Sequence, residues 1–278
     1  MGSGNFWFAF ILTVIAGLST GVGSLIALFA KRANMKFLSV SLGFSAGVMI
    51  YVSMVEIFFK AKMTLTAAVG EKNGLIAVVA AFFGGMLLIA VINKLIPLNG
   101  MAKADDSAVT GRGLKRGDSL KVEGISAPLS LMRSGLLTAV TLGIHNFPEG
   151  LATFMSALRG AEVAVPIVAA IAIHNIPEGI AVSVPVYYAT GKKGKAFGYS
   201  FLSGITEPLG ALIGYFILFP FLTDTVMAVV FAAVAGIMVF ISVDELLPSA
   251  RKYGANSLSV YGLVCGMLVM AVSLILFA

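Results

Sequence analysis

Hydrophobic residues fall into eight long runs separated by short polar stretches: roughly Phe6–Phe29, Phe37–Phe59, Gly74–Ile96, Gly135–Leu158, Val163–Tyr188, Ala196–Phe219, Thr225–Leu247 and Ser257–Phe277. A hydrocarbon core about 30 Å thick needs about 20 apolar helical residues, and every run is long enough. None of them alternates with period two, which disfavours a β-barrel. Helices satisfy their own backbone groups in lipid. The pattern therefore predicts an all-α integral membrane protein with eight transmembrane helices.

Composition agrees. Of 278 residues, 59% are hydrophobic and 12% charged, with a mean hydropathy of +0.99. A soluble domain carries about 25% charged residues. A cytosolic enzyme, a disordered regulator and a disulfide scaffold are all excluded. The single cysteine, Cys265, lies in an apolar run, so neither an internal disulfide nor a cysteine-based metal cluster can form. The first run, roughly 24 residues, exceeds the length of about 7–15 typical of a secretory h-region, so it is expected to remain in the mature protein.

The formal net charge is +6. This excess of base reads as topological charge rather than as affinity for nucleic acid, because the basic residues cluster in short loops. With the N-terminus outside, fifteen of the nineteen Lys and Arg face the cytoplasm, and only Lys60, Lys62, Lys72 and Arg159 lie outside. Eight spans then place both termini outside.

Four segments follow: three helices in 1–96, a flexible cytoplasmic loop in 97–134, the fourth and fifth helices in 135–190, and three more in 191–278. The loop is rich in Gly, Ser, Asp and Lys, includes Gly111-Arg-Gly-Leu-Lys-Arg-Gly117, and nearly balances its bases with Asp105, Asp106, Asp118 and Glu123. Such a composition cannot bury a core, and a solvated linker is the better reading than a lipid or nucleic-acid contact.

Several acids lie inside the runs: Glu56, Glu149, Glu178, Glu207, Asp244 and Glu245, with no Lys or Arg at comparable depth. Charge at the bilayer centre is penalised by about 2.5–3.5 kcal/mol on insertion scales. Either these acids are protonated or a cation is brought to them.

The only two histidines sharpen that choice. They occur in one hexapeptide used twice, His145-Asn-Phe-Pro-Glu-Gly150 and His174-Asn-Ile-Pro-Glu-Gly179. Within each copy His, Asn and Glu share a helical face. Pro148 and Pro177 loosen the hydrogen bonds to the carbonyls of Ile144 and Ile173, and the following Gly adds flexibility, so kinked half-helices with partly freed carbonyls are expected.

The copies are 29 residues apart, from 145 to 174, which is one span plus a short turn. They should sit on antiparallel neighbours at similar depth, related by a pseudo-two-fold axis in the membrane plane, with their side chains converging. Two imidazoles, two carboxylates and two amide oxygens suit Zn²⁺, and would also accept Fe²⁺, Mn²⁺, Cd²⁺ or Co²⁺. A lone buried His or Asn is usually a packing residue, but two copies that use every histidine favour a site. Glu207 precedes Pro208 and reads either as a ligand or as a helix-breaking pair. Thr138 and Thr141 extend the His145 face, as support for the ligands or as interhelical glue.

The duplicated hexapeptide on the fourth and fifth of eight spans resembles the ZIP (Zrt/Irt-like) divalent-metal transporters, especially their bacterial ZupT-type and GufA-like branch. The likeness covers nearly the whole chain and implies a 3+2+3 arrangement with pseudo-two-fold inverted symmetry. It also implies a binuclear metal centre. One metal would take His145, Glu149, His174 and Glu178, with Met49 in reach. A second would take Asn146, Glu149, Asn175, Glu178 and Glu207, the two central carboxylates bridging. Without the resemblance, Met49 would read as core filling.

Glu56 lies seven residues beyond Met49, two turns toward the outside on the same face. Asp244 and Glu245 lie near the cytoplasmic end of the seventh span, where a solvated helix end is the plain alternative. The resemblance places metal-handling residues at both levels, making a ladder of acidic sites. Many members have a His-rich cytoplasmic loop; this one does not, and no metal sensing is expected there. Both hexapeptides are intact, which favours a fully bimetallic site.

The expected function is inward carriage of divalent metal, zinc first, across a bacterial cytoplasmic or inner membrane. The helices bearing the site would move as a block, in elevator fashion. Glycine patterns such as Gly17-Leu-Ser-Thr-Gly-Val-Gly23 and Gly84-Gly85 would permit close contact and sliding. No catalytic cofactor is expected, the lipid bilayer and divalent metal ions are the partners, and the resemblance makes a homodimer an expectation. Because ligating His and Glu must be deprotonated, metal affinity should fall through the histidine range, about pH 6.5 when unperturbed. The alternative from another class is an intramembrane binuclear metallohydrolase. Against it stand the absence of His-Glu-x-x-His, the order His-x-x-x-Glu instead of Glu-x-x-His, and the lack of an accompanying nucleophile. A sensor or channel is not distinguished by sequence.

Overall fold

The computed structural model describes residues 3–29, 34–95, 121–122, 125–158, 160–218, 221, 223–253 and 256–276. Eight long helices run through these residues. They are α1 (Ser3–Phe29), α2 (Met35–Tyr51, a π-helical turn Val52–Ile57, then Phe58–Val69), α3 (Glu71–Leu95) and α4 (Ala127–Leu158). Next come α5 (Ala161–Thr190), α6 (Lys193–Ile213, continuing as a π-helical Gly214–Leu218), α7 (Asp224–Ile241, a π-helical Ser242–Leu246, then Leu247–Tyr253) and α8 (Asn256–Leu276). Seven are long and apolar enough to cross a membrane. The eighth is α4, at 32 residues long enough, which carries Arg133 and several serines and threonines in addition to a hexapeptide like that of α5.

Every expected run is helical, and the ends differ for physical reasons. α2 continues past Phe59 through the amphipathic Lys60–Val69 segment and stops at Gly70, whose φ of 84° ends the helix. α4 starts at Ala127 instead of Gly135, with Pro128 in the first turn, where its missing N–H has no helical acceptor to lose. α7 runs on to Tyr253 through Pro248, because the π-helical turn just before it already opens the ladder at the carbonyl that the proline ring would meet. Most of the expected linker, residues 97–120 and 123–124, lies outside the described residues. Its described part includes a two-residue antiparallel ribbon, β1 (Lys121–Val122) with β2 (Ile125–Ser126), where an unstructured chain was expected.

Packing divides the helices into two bundles of four. α1, α4, α5 and α6 all touch one another, while α2 packs on α8, α3 on α7, and α2 on both α3 and α7. Contact between the bundles runs mainly along α2 with α5 and α4 with α7. This grouping is not the order of the chain: α1 leaves its sequence neighbours to join the hexapeptide helices.

Glycine marks the seams inside each bundle. A Cβ on Gly150 would overlap the carbonyl oxygen of Glu207, and one on Gly179 that of Thr20. The hexapeptide glycines therefore serve close approach, not flexibility. Gly17 and Gly23 face α6 and α5, and Gly85 faces α7, again within bundles; Gly84 faces open space. These glycines lock each bundle and do not line a sliding surface between the two.

The contacts repeat. Gly150 meets α6 as Gly179 meets α1, and the two partner positions, Glu207 and Thr20, are separated by the same number of residues as Ser203 and Ala16, the carbonyls held by the two hexapeptide asparagines. At one end of the molecule Phe6, Trp7, Phe154, Tyr215 and Phe216 form a ring cluster of the kind that sits at a membrane–water boundary.

Candidate metal centre

The hexapeptides lie in mid-helix on α4 and α5, which pass unbroken through Pro148 and Pro177. The expected half-helices are thus continuous helices. A proline removes one N–H, and the surrounding packing carries the helix across the gap. One carbonyl near the second break is used: Pro177 accepts the Ser45 hydroxyl at 2.7 Å.

The four-residue spacing brings both histidines and both central glutamates together. His145 Nε2 lies 3.2 Å from Glu149 Oε2 and 3.2 Å from Glu178 Oε1. His174 Nε2 lies 2.6 Å from Glu149 Oε1. Ligand atoms of His145, His174 and Glu178 fall within 4.8 Å of one another. All four residues are buried, as are Asn146, Asn175 and Glu207.

The asparagines use their amides alike: Asn146 Nδ2 donates to the Ser203 carbonyl at 3.2 Å and Asn175 Nδ2 to the Ala16 carbonyl at 3.0 Å. Asn175 Nδ2 also donates to Glu207 Oε1, which ties Glu207 to the second hexapeptide. Spending the NH₂ groups on backbone leaves each amide oxygen directed elsewhere. Buried lone pairs without a hydrogen-bond donor remain on Asn146 Oδ1, Asn175 Oδ1, Glu149 Oε2, both oxygens of Glu178 and Glu207 Oε2. The close His–Glu approaches are electrostatic, since the His145 and His174 Nε2 atoms make no well-aligned hydrogen bond. Buried polar atoms are normally paired. A dense set of nitrogen and oxygen donors left without protons to share is what a cation of borderline softness would coordinate.

A cavity of about 470 Å³ reaches this cluster from the end of the molecule where α2 finishes and α7 begins. His145, Glu149 and His174 line it together with Glu56, Lys60, Thr64 and Asp224.

The remaining expected residues fall into two groups. Met49 is buried on α2, one turn beyond Ser45 and hence on the face that meets α5. Glu56 lines the cavity, but it is not without a cation: one turn on, Lys60 Nζ reaches Glu56 Oε1 at 2.8 Å. A lysine four residues along a helix can extend its flexible stem to the carboxylate, which the depth estimate from sequence ignored. Asp244 is exposed and Glu245 half-buried. Both occupy the π-helical turn rather than a helix end, and neither is among the residues lining the cavity. Glu245 has Arg133 and Ser134 of α4 beside it, a second correction to the expected absence of basic neighbours. Thr141 donates its hydroxyl to the Leu137 carbonyl of its own helix, and so joins neither a ligand nor another helix.

Three features escaped the sequence reading. Lys60 and Asp224 line the cavity, and Met238 is buried on α7 with its sulfur 3.4 Å from Ser53 Oγ. The last had a signal: Met49-x-x-x-Ser53-x-x-Glu56 recurs as Met238-x-x-x-Ser242-x-x-Glu245.

Comparison with known proteins bears on this arrangement. Residues 100–274 match the family described as "ZIP Zinc transporter". The chain belongs to the ZIP family. Its ZIP relatives include the zinc transporter ZupT of Streptococcus mutans, 59% identical over 97% of this chain and 97% of its own length. That of Clostridium perfringens is 54% identical over 98% and 97%, and that of Oceanobacillus iheyensis is 56% identical over 99% of both chains. Matches of this length span the region of all eight helices.

Proposed function

We propose that this chain carries divalent transition metal, zinc first, into the cytoplasm of a bacterial cell across its inner membrane. One observation supports this most: two histidines and two glutamates from antiparallel helices converge, buried, with donor atoms unshared, at the foot of a cavity open to one end. The zinc-transporter names of the relatives support the same reading and give the metallohydrolase none.

The ligand sets are read as follows. His145, Glu149, His174 and Glu178 hold one ion with Met49 approaching from α2; Asn146, Asn175 and Glu207 hold a second with the same two glutamates bridging. The unpaired amide oxygens and the Asn175–Glu207 contact favour the second ion. Fe²⁺, Mn²⁺, Cd²⁺ and Co²⁺ fit the same donors. Glu56 receives the ion on the way in; Asp244 and Glu245 receive it on the way out.

The matched contacts of α4 with α6 and α5 with α1 support an inverted 3+2+3 relation. The concentration of Lys and Arg at the opposite end from the cavity mouth supports an orientation with that mouth and both termini outside. Transport then follows if the bundle holding the ions shifts against the other, the elevator motion, since each bundle is tightly locked within itself.

Uptake of ⁶⁵Zn²⁺ into proteoliposomes containing the purified chain tests the proposal. Saturable uptake that Cd²⁺ competes for is expected. Vesicles with protein that take up no more than protein-free vesicles would refute it, and turnover far above carrier rates would point to a channel.

A further inference from the structure

Lys60 is out of place on the path just described. Among the described residues lining the cavity it is the one Lys or Arg, and the others with charge are the acids Glu56, Glu149 and Asp224. A free ammonium there would repel an arriving dication. It is not free: its Nζ sits 2.8 Å from Glu56 Oε1, with the Lys60 side chain 68% exposed and that of Glu56 21% exposed. The carboxylate is thus largely enclosed in the cavity wall, while the ammonium reaches it on an exposed, flexible four-carbon stem.

We propose that Lys60 is a tethered competitor that occupies Glu56 until a divalent metal displaces it, and so sets which cations load the carrier. This rests on the transport reading above. An exposed pair of this kind is worth little, about a two- to fivefold factor in occupancy, so it is strong enough to compete and weak enough to yield. Displacement has different consequences for different ions. Zn²⁺ that dislodges the ammonium moves on to the imidazoles of His145 and His174, which suit it. Ca²⁺ and Mg²⁺ prefer oxygen ligands and gain no such onward step. Competition at Glu56 therefore falls hardest on the hard cations, which would otherwise block the approach.

The test is ⁶⁵Zn²⁺ uptake into proteoliposomes by wild type, K60M, K60R, E56Q and the double variant K60M/E56Q, with and without added Ca²⁺. K60M should lower the KM for zinc about two- to fivefold and make uptake correspondingly more sensitive to Ca²⁺. K60R should resemble wild type. E56Q should raise KM, and adding K60M to it should change nothing further, because Lys60 acts through Glu56. A K60M protein with unchanged KM and Ca²⁺ sensitivity overturns the inference. So does a K60M effect that persists undiminished in the E56Q background, which would make Lys60 a general field charge. If wild type moves no zinc, the transport reading fails and this inference with it; if wild type transports and only the Lys60 variants are silent, this inference fails alone.

Discussion

The two bundles bury different chemistry. Among the described residues, α1, α4, α5 and α6 bury both histidines, two asparagines and three glutamates along with serines and threonines; every buried polar residue of α2, α3, α7 and α8 is a serine. Their seams differ as well. Each glycine at which a Cβ would collide with another helix faces a helix of its own bundle. Between the bundles, the ties among the described residues include Ser45 to the Pro177 carbonyl, Tyr188 to the Asn34 carbonyl, Ser134 with Ser249, and Glu245 beside Arg133 and Ser134. The buried donors for a cation are thus gathered in one bundle, and the other lines the cavity with Glu56, Lys60 and Asp224. If the ions move with their ligands, the surface that must let go is the one that no close glycine contact locks.

The largest effect should come from emptying the polar bundle of its central charge. Replacing Glu149 and Glu178 together by Ala removes both carboxylates at the heart of the cluster. Zinc uptake should fall more than about a hundredfold, since even supporting groups around a metal are worth about 10–100-fold. Ser41→Ala, a buried serine of the other bundle, should keep most of its uptake. Equal loss in the two variants would mean that the chemistry is not confined as described.

The next effect tests the locked seams. Gly150→Ala places a methyl group on the Glu207 carbonyl, whereas Gly84→Ala meets nothing within 4 Å. Overpacking of this kind destabilises by about 1–3 kcal/mol. The Tm of the detergent-solubilised protein should drop clearly for Gly150→Ala and hold for Gly84→Ala; a drop in both would deny the distinction between a contact glycine and an open one.

Much of this was legible beforehand, and the limits have physical causes. The eight helices followed from run length alone, because a membrane imposes one length scale. The convergence of His145, Glu149, His174 and Glu178 followed from four-residue spacing and the short connection through Gly160. The bundles did not follow, because α1 pairs with α5 and α6 through backbone contacts that glycine permits but does not specify. The role of Gly150 was misread for the same reason: flexibility and close approach look identical in sequence. Glu56 was taken as unpaired because depth was counted in residues, whereas a lysine side chain spans a helical turn. The Met238 repeat was present in the letters, but it becomes meaningful only once α2 and α7 are seen to share a π-helical turn.

A smaller effect comes from protons. Imidazole and carboxylate ligands must be deprotonated to hold a metal, so zinc affinity should weaken on acidification from about pH 7.5 to about pH 5.5, as protons compete with the metal for its ligands. The sign is fixed: acid lowers affinity. Zinc binding followed by calorimetry in detergent would show it, and affinity that stays flat over this range would mean that the bound ion is not held by His145 and His174.

The smallest effect probes the surface between the bundles. Tyr188 donates its hydroxyl at 2.7 Å to the Asn34 carbonyl, joining α5 to the residue that caps α2. This tie lies at the end of the molecule opposite the cavity mouth, and on the proposed elevator motion it would hold that end closed while the other is open. A net hydrogen bond is worth about 0.5–1.5 kcal/mol, which allows up to about a tenfold shift between two arrangements. With the exposed Cys265 replaced by Ala, a cysteine at the cavity-lining position Ala152 reports the open mouth by its reaction with an impermeant maleimide. Tyr188→Phe should slow that labelling a few-fold by releasing the closed end, while the same substitution at Tyr215, inside the polar bundle's aromatic cluster, should leave it unchanged. If both variants label as the parent does, the tie does not bias the two bundles, and the weakness of the seam must be sought at Ser45 or Ser134 instead.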